Sequence, residues 1–104
     1  MTRILKILPR ADWERALTLG RFEGSAVDIA DGFIHFSAAD QVAETARRHF
    51  AGQADLVVLT IEADTLGPAL RWEPSRGGAL FPHLYAPLEV TCVVAVEAMD
   101  APRP

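Results

Sequence analysis

The sequence predicts an α+β fold: a small mixed or antiparallel, split β-sheet with two main helices packed on it. Three observations lead there. Branched apolar runs stand at both ends and in the middle, "RILKIL", "DLVVLTIEA" and "EVTCVVAVEA". Both helix-like segments fall in the first half. No βαβ alternation follows them. The 104 residues are expected to form one domain, with a core over about 3–97 and a frayed tail over 98–104.

Residues 3–8 read as a strand stopped by Pro9. "RADWERALTLG" reads as a helix whose Trp13, Ala16 and Leu17 share a face, with Asp12 and Glu14 near its start and Gly20 as C-cap. Asp31 and Gly32 form a turn into a brief strand, "GFIHF". Ser37 is placed to cap a second helix, with Asp40 completing a capping box. Val42, Ala46 and Phe50 recur at helical spacing within it, His49 belongs to the core or its boundary, and Gly52 ends it. Residues 55–63 are nearly continuous in apolar side chains, as in a central strand covered on both faces. "DTLGP" is a turn, "LRWEP" a short strand, "SRGGALFPHLYAP" irregular, and "EVTCVVAVEA" a long last strand.

Composition narrows the function. A net charge of −4 disfavours nucleic acid as the main partner, because phosphate backbones are bound by clustered Lys and Arg. The single cysteine, Cys92, excludes an intramolecular disulfide and suits a cytoplasmic setting, where it reads as a small buried hydrophobe. No run approaches the roughly 20 apolar residues of a spanning helix, so no membrane partner is expected.

Two stretches carry candidate chemistry. In "IHFS", strand alternation aims His35 and Ser37 at one face and Ile34 and Phe36 at the other. His35 reads either as a ligand-holding imidazole or as a satisfied core residue, and Ser37 either as a binding group or only as a cap. The second stretch, "RWEPSRGGALFPHLY", gathers Arg71, Glu73, Arg76, Gly77, Gly78, His83 and Tyr85 beside Trp72 and Phe81. Arg76 and the two glycines suit an anion approached by backbone and guanidinium together. The aromatics suit the walls of a pocket for a flat ring. The competing reading is a surface loop whose Glu73 pairs with Arg71 or Arg76. No close-spaced ligand pair supports a metal built from His35, Glu73 and His83, so none is expected. No glycine loop of the dinucleotide or triphosphate kind is present.

With "DGFIHFSAADQ" and "RWEPSRGGALFPHLYAPL" in view, the chain resembles the domain-of-unknown-function 952 family of small bacterial proteins over about residues 3–97. The resemblance implies an ADP-ribosylation-type fold, similar to mono-ADP-ribosyltransferases and the RNA 2′-phosphotransferase. In those relatives a histidine or arginine, one intervening residue and a Ser or Thr form the first motif. It implies that His35 holds a ribose hydroxyl and that backbone at the next residue, Phe36, holds the nicotinamide amide, with Ser37 closing the motif in the cofactor site. Phe36 stands where the relatives have Gly. The implied ligand is a nucleotide with NAD as substrate, and the implied reactions are ADP-ribosyl transfer or NAD glycohydrolysis. Arg71, Arg76, Gly77, Gly78 and Tyr85 would complete the binding site. The relatives also share a late carboxylate. The matching region here offers His83 and Tyr85 instead, which leaves Glu73 as the alternative source of charge. A non-catalytic ligand-binding or interaction module on the same scaffold is the rival reading.

Overall fold

The computed structural model describes residues 2–100, apart from the side chain of Arg76; residues 101–104 of the expected tail lie outside the described residues. The fold is α+β with antiparallel sheets throughout. A four-stranded sheet has the order β4 (Ser37–Ala38), β1 (Arg3–Pro9), β5 (Leu56–Glu62), β9 (Val93–Met99). A three-stranded sheet has the order β3 (Ile34–His35), β7 (Leu80–Leu84), β6 (Leu70–Pro74), and β2 (Arg21–Phe22) pairs with β8 (Leu88–Glu89). The helices are α1 (Arg10–Leu19), α2 (Ala26–Asp31) and α3 (Val42–His49).

β1 and β5 lie side by side in register from Arg3↔Glu62 to Pro9↔Leu56. Apolar side chains on both faces make them central. Ile4, Leu8, Val57, Leu59 and Ile61 join Trp13, Phe22, Ile34 and Leu84 in the main core. Ile7 and Leu56 face the other way and pack with Ala46 beneath α3. Ile4, Leu59 and Ile61 leave water entirely, each contributing about 1.5–3 kcal/mol. α1 stops where expected: Gly20 takes φ +91°, and its N–H donates to Ala16 O at 2.8 Å. Trp13 and Ala16 are buried as expected, but Leu17 is exposed.

Five expectations need correction. The brief strand over 32–36 is split, because Ile34–His35 joins β7 while Ser37–Ala38 joins β1. Ser37 is therefore a strand residue and caps nothing; α3 starts at Val42, with Gln41 in the cap position. His49 is exposed, since it falls on the solvent side of α3. The stretch called irregular contains β7, paired residue for residue with β6 from Leu70↔Leu84 to Pro74↔Leu80. The last strand begins only at Val93, after a 3₁₀ turn at Val90–Cys92, and continues to Met99, so Ala98 and Met99 are paired rather than frayed.

α2 is a third helix, unforeseen. Ser25 and Asp28 form its capping box, and Gly32 closes it with φ +88°.

Candidate functional site

The three-stranded sheet collects the candidate residues by register. His35 lies opposite His83, and His83 lies opposite Arg71. Alternation then puts Phe33, Glu73 and Tyr85 on that same face, while Ile34, Leu84 and Leu70 turn toward the core. His35, Glu73 and His83, drawn from strands far apart in the sequence, thus share one surface.

An aromatic cluster forms its centre. The Phe33 ring stacks on His83, with centroids 4.1 Å apart and planes at 29°. His35 lies 4.5 Å and Tyr85 5.2 Å from Phe33, and His35 meets His83 edge-on at 5.5 Å. The Arg71 guanidinium stands 5.4 Å from the Tyr85 ring centroid, within cation–π range. Glu73 accepts from the Tyr85 hydroxyl at 2.7 Å, and its Oε1 lies 2.8 Å from His83 Nδ1. Tyr85 first, and His83 after it, hold the Glu73 carboxyl below its ordinary value. Donation to that carboxylate raises the Tyr85 phenol. Glu73 is thus an anion at neutral pH, half-exposed and set beside the His83 imidazole.

Beneath the patch lies a buried ionic hub that the sequence reading missed. Asp28 is 2% exposed and Lys6 6% exposed. Lys6 Nζ donates to both Asp28 oxygens at 3.1 and 2.9 Å. Ser25 N–H and Oγ donate to Oδ2 at 2.9 and 3.0 Å. The His35 N–H donates to Oδ1 at 3.1 Å, and His35 Nδ1 is 2.7 Å from the same oxygen. Desolvation pushes the Asp28 carboxyl up. The His35 hydrogen bond, the Lys6 charge and the Ser25 N–H outweigh it and leave the group well below the usual carboxylate range. Burial lowers Lys6 from its ordinary value, against the pull of Asp28. The contact between Asp28 and His35 Nδ1 fixes the ring orientation and turns Nε2 outward. There Nε2 lies 2.9 Å from Asp31 Oδ2. Gly24 keeps the hub in place: with φ +117°, a Cβ built on it would stand 3.0 Å from Asp28 Cβ.

The remaining candidates lie elsewhere. Phe36 is buried in the main core, and its N–H donates to Pro82 O at 3.0 Å. Ser37 is buried with its Oγ 2.9 Å from Thr45 Oγ1 of α3. The pair therefore offers no open backbone to a ligand at this face. Gly77 and Gly78, with φ +67° and +80°, form the exposed tip of the β6–β7 hairpin, beyond the end of the patch. The Arg76 side chain lies outside the described residues. Gln41 has a structural part: Oε1 accepts from Ala38 N–H at 2.9 Å, and Nε2 donates to Leu80 O at 2.8 Å, tying α3 to β7. A groove of about 570 Å³ between α1 and α2 does not include the patch residues. Among the described residues no group of three or more His, Cys, Asp or Glu could hold a metal ion, and no helix is long and apolar enough to cross a membrane.

The model of the family described as "Protein of unknown function (DUF952)" matches residues 7–96. The crystal structure of protein CC0527 from Caulobacter crescentus is 60% identical, with a TM-score of 0.93, and covers 95% of this chain and 87% of that one. The solution NMR structure of CC0527 is also 60% identical, with a TM-score of 0.86, and covers 96% of this chain and 86% of that one. No curated protein matches the chain.

Proposed function

Because the chain belongs to the DUF952 family, whose description assigns no activity, we propose a function from the patch itself: binding of an NAD- or ADP-ribose-type nucleotide, with cleavage of its nicotinamide–ribose bond. The observation that carries this is Glu73, ionised and held against His83 on the face that also bears His35. It supplies the late carboxylate that the ADP-ribosylation resemblance asks for, from β6 instead of the last strands. The ADP-ribosylation-type fold is part of the same proposal, supported by the separate antiparallel sheets, one of which carries His35 and Glu73 on the two strands that flank β7.

In this reading the flat ring of the ligand stacks on the open faces of Phe33 and Tyr85, and Arg71 meets its phosphate. His35 Nε2 holds a ribose hydroxyl once Asp31 gives way. When the C–N bond breaks, its electron pair goes to the nicotinamide nitrogen and positive charge develops on the ribose. The Glu73 carboxylate stabilises that cation. A water or acceptor hydroxyl then adds to the sugar carbon and releases its proton to solvent.

A non-catalytic ligand-binding or interaction module is the second reading. The Asp31 contact favours it, because it occupies the outward nitrogen of His35. Incubation with NAD, with nicotinamide followed by chromatography, separates the two. Turnover that falls at least a hundredfold in Glu73→Gln, while calorimetric binding of ADP-ribose persists, supports catalysis. Saturable ADP-ribose binding without turnover, weakened by His35→Ala, supports the module. Neither binding nor turnover rejects both.

A further inference from the structure

β9 is the outer edge of the four-stranded sheet, paired on one side with β5. Residues 94 to 98 are all exposed, although Val94, Ala95, Val96 and Ala98 are apolar; Val94 is 53% and Val96 44% exposed. Strand edges of monomers are normally blunted by lysine, proline, bulges or shortness. Val93–Met99 is seven residues long and carries one charge, Glu97, with no lysine or proline. Its register shift leaves Val94 as a bulge between the partners of Thr60 and Ile61, which blunts only the start of the strand and leaves residues 95–99 in regular register. The opposite edge, β4, is two residues long.

We propose that β9 is the seam of a two-fold dimer, in which a second copy of this chain adds its own β9 antiparallel and the two four-stranded sheets become one. The strand is self-complementary in this arrangement. About an axis through Val96 within the regular stretch, that residue meets its own symmetry mate and Ala95 meets Glu97. No carboxylate then opposes another. Val96 and Ala98 share one face of the strand, with the exposed, bulged Val94 next along the edge, so the two copies bring these apolar side chains together. The outward N–H and C=O groups of β9, which pair with no strand among the described residues, gain partners at the same time. Such an isologous contact closes at two copies, and β4 is too short to continue the sheet into a fibre. Seven residues span only about 23 Å. The interface therefore belongs to the small class, below roughly 1,200 Å², and the dimer dissociates on dilution.

Sedimentation velocity over a concentration series from low micromolar to near millimolar tests this. The mass should climb from 11.3 kDa toward twice that value. Val94→Lys and Val96→Lys should each hold it at the monomer mass, with circular dichroism and thermal midpoint matching dilute wild type. Amide exchange of wild type should slow along β9 as concentration rises. A wild-type mass that stays monomeric, a dimer that survives both substitutions, or β9 exchange independent of concentration would each overturn the proposal.

Discussion

Replacing Asp28 by asparagine removes one charge and no volume, yet it should cost this protein a large part of its stability. Both carboxylate oxygens only accept: Oδ1 takes Lys6 and two groups of His35, and Oδ2 takes Lys6 and two groups of Ser25. An amide turns one of those acceptors into a donor, so either flip sets N–H against the N–H of Ser25 or of His35. It also leaves the Lys6 ammonium buried without a counter-ion. Breaking such a pair costs about 3–5 kcal/mol, against a total of roughly 5–15 kcal/mol for a native protein. The thermal midpoint should fall on the order of 15–30 °C. Urea unfolding followed by tryptophan fluorescence measures the loss directly. The Lys6→Met/Asp28→Asn double variant should lose less than the two single variants together, because neither charge is then stranded. A pH series gives the second readout. The folded carboxyl titrates below its unfolded value, so between the two the unfolded chain binds the extra proton and stability rises with pH. The Asp28 contribution is complete above the ordinary carboxylate range, about pH 4, and drains away as pH falls toward the folded value. Asp28→Asn should flatten that acid limb. A loss under about 1 kcal/mol, with the limb unchanged, would refute the ionic hub.

Two further outcomes follow from the same geometry. Tyr85→Phe removes the donor that most depresses Glu73, so the acid limb of ADP-ribose binding or NAD turnover should move to higher pH; an unmoved limb would detach Glu73 from the ligand. Ser37→Ala should cost about 1 kcal/mol through its lost bond to Thr45. A loss of several kcal/mol instead would show that Ser37 does more than hold Thr45.

Segments with strong periodicity were legible from composition and spacing. β1, α1, α3 and β5 stand close to where their apolar patterns put them, and Gly20 ends its helix for the expected reason. α2 escaped because its pattern is inverted: Val27 and Ile29 face solvent while the charged Asp28 is buried. A helix that buries a carboxylate gives no apolar signal, and the hub it serves was hidden with it. β7 escaped because of Pro82. Its carbonyl accepts from Phe36 N–H, so its missing donor points to the same side, where β3 has already ended at His35. The proline therefore interrupts no ladder. Ser37 misled because a serine before a helical run has the signature of a cap, and only the pairing with Leu5 reveals the strand. Within the site, His35, Glu73, His83, Arg71 and Tyr85 were visible as polar residues in apolar surroundings. Phe33, the ring that joins them, did not stand out, because one more aromatic in the apolar run "GFIHF" carries no polar signal.

Register alone assembles the patch, and this has a consequence for how a bound nucleotide would act on the whole molecule. No contiguous fragment contains His35, Glu73 and His83 without also containing β5 and α3, so the patch comes into being only once strands distant in the chain have assembled. A nucleotide held there favours the entire native ensemble over the denatured one by mass action. Saturating it should therefore retard exchange of the slowest amides in β1 and β5, far from the ligand, as well as those beneath it.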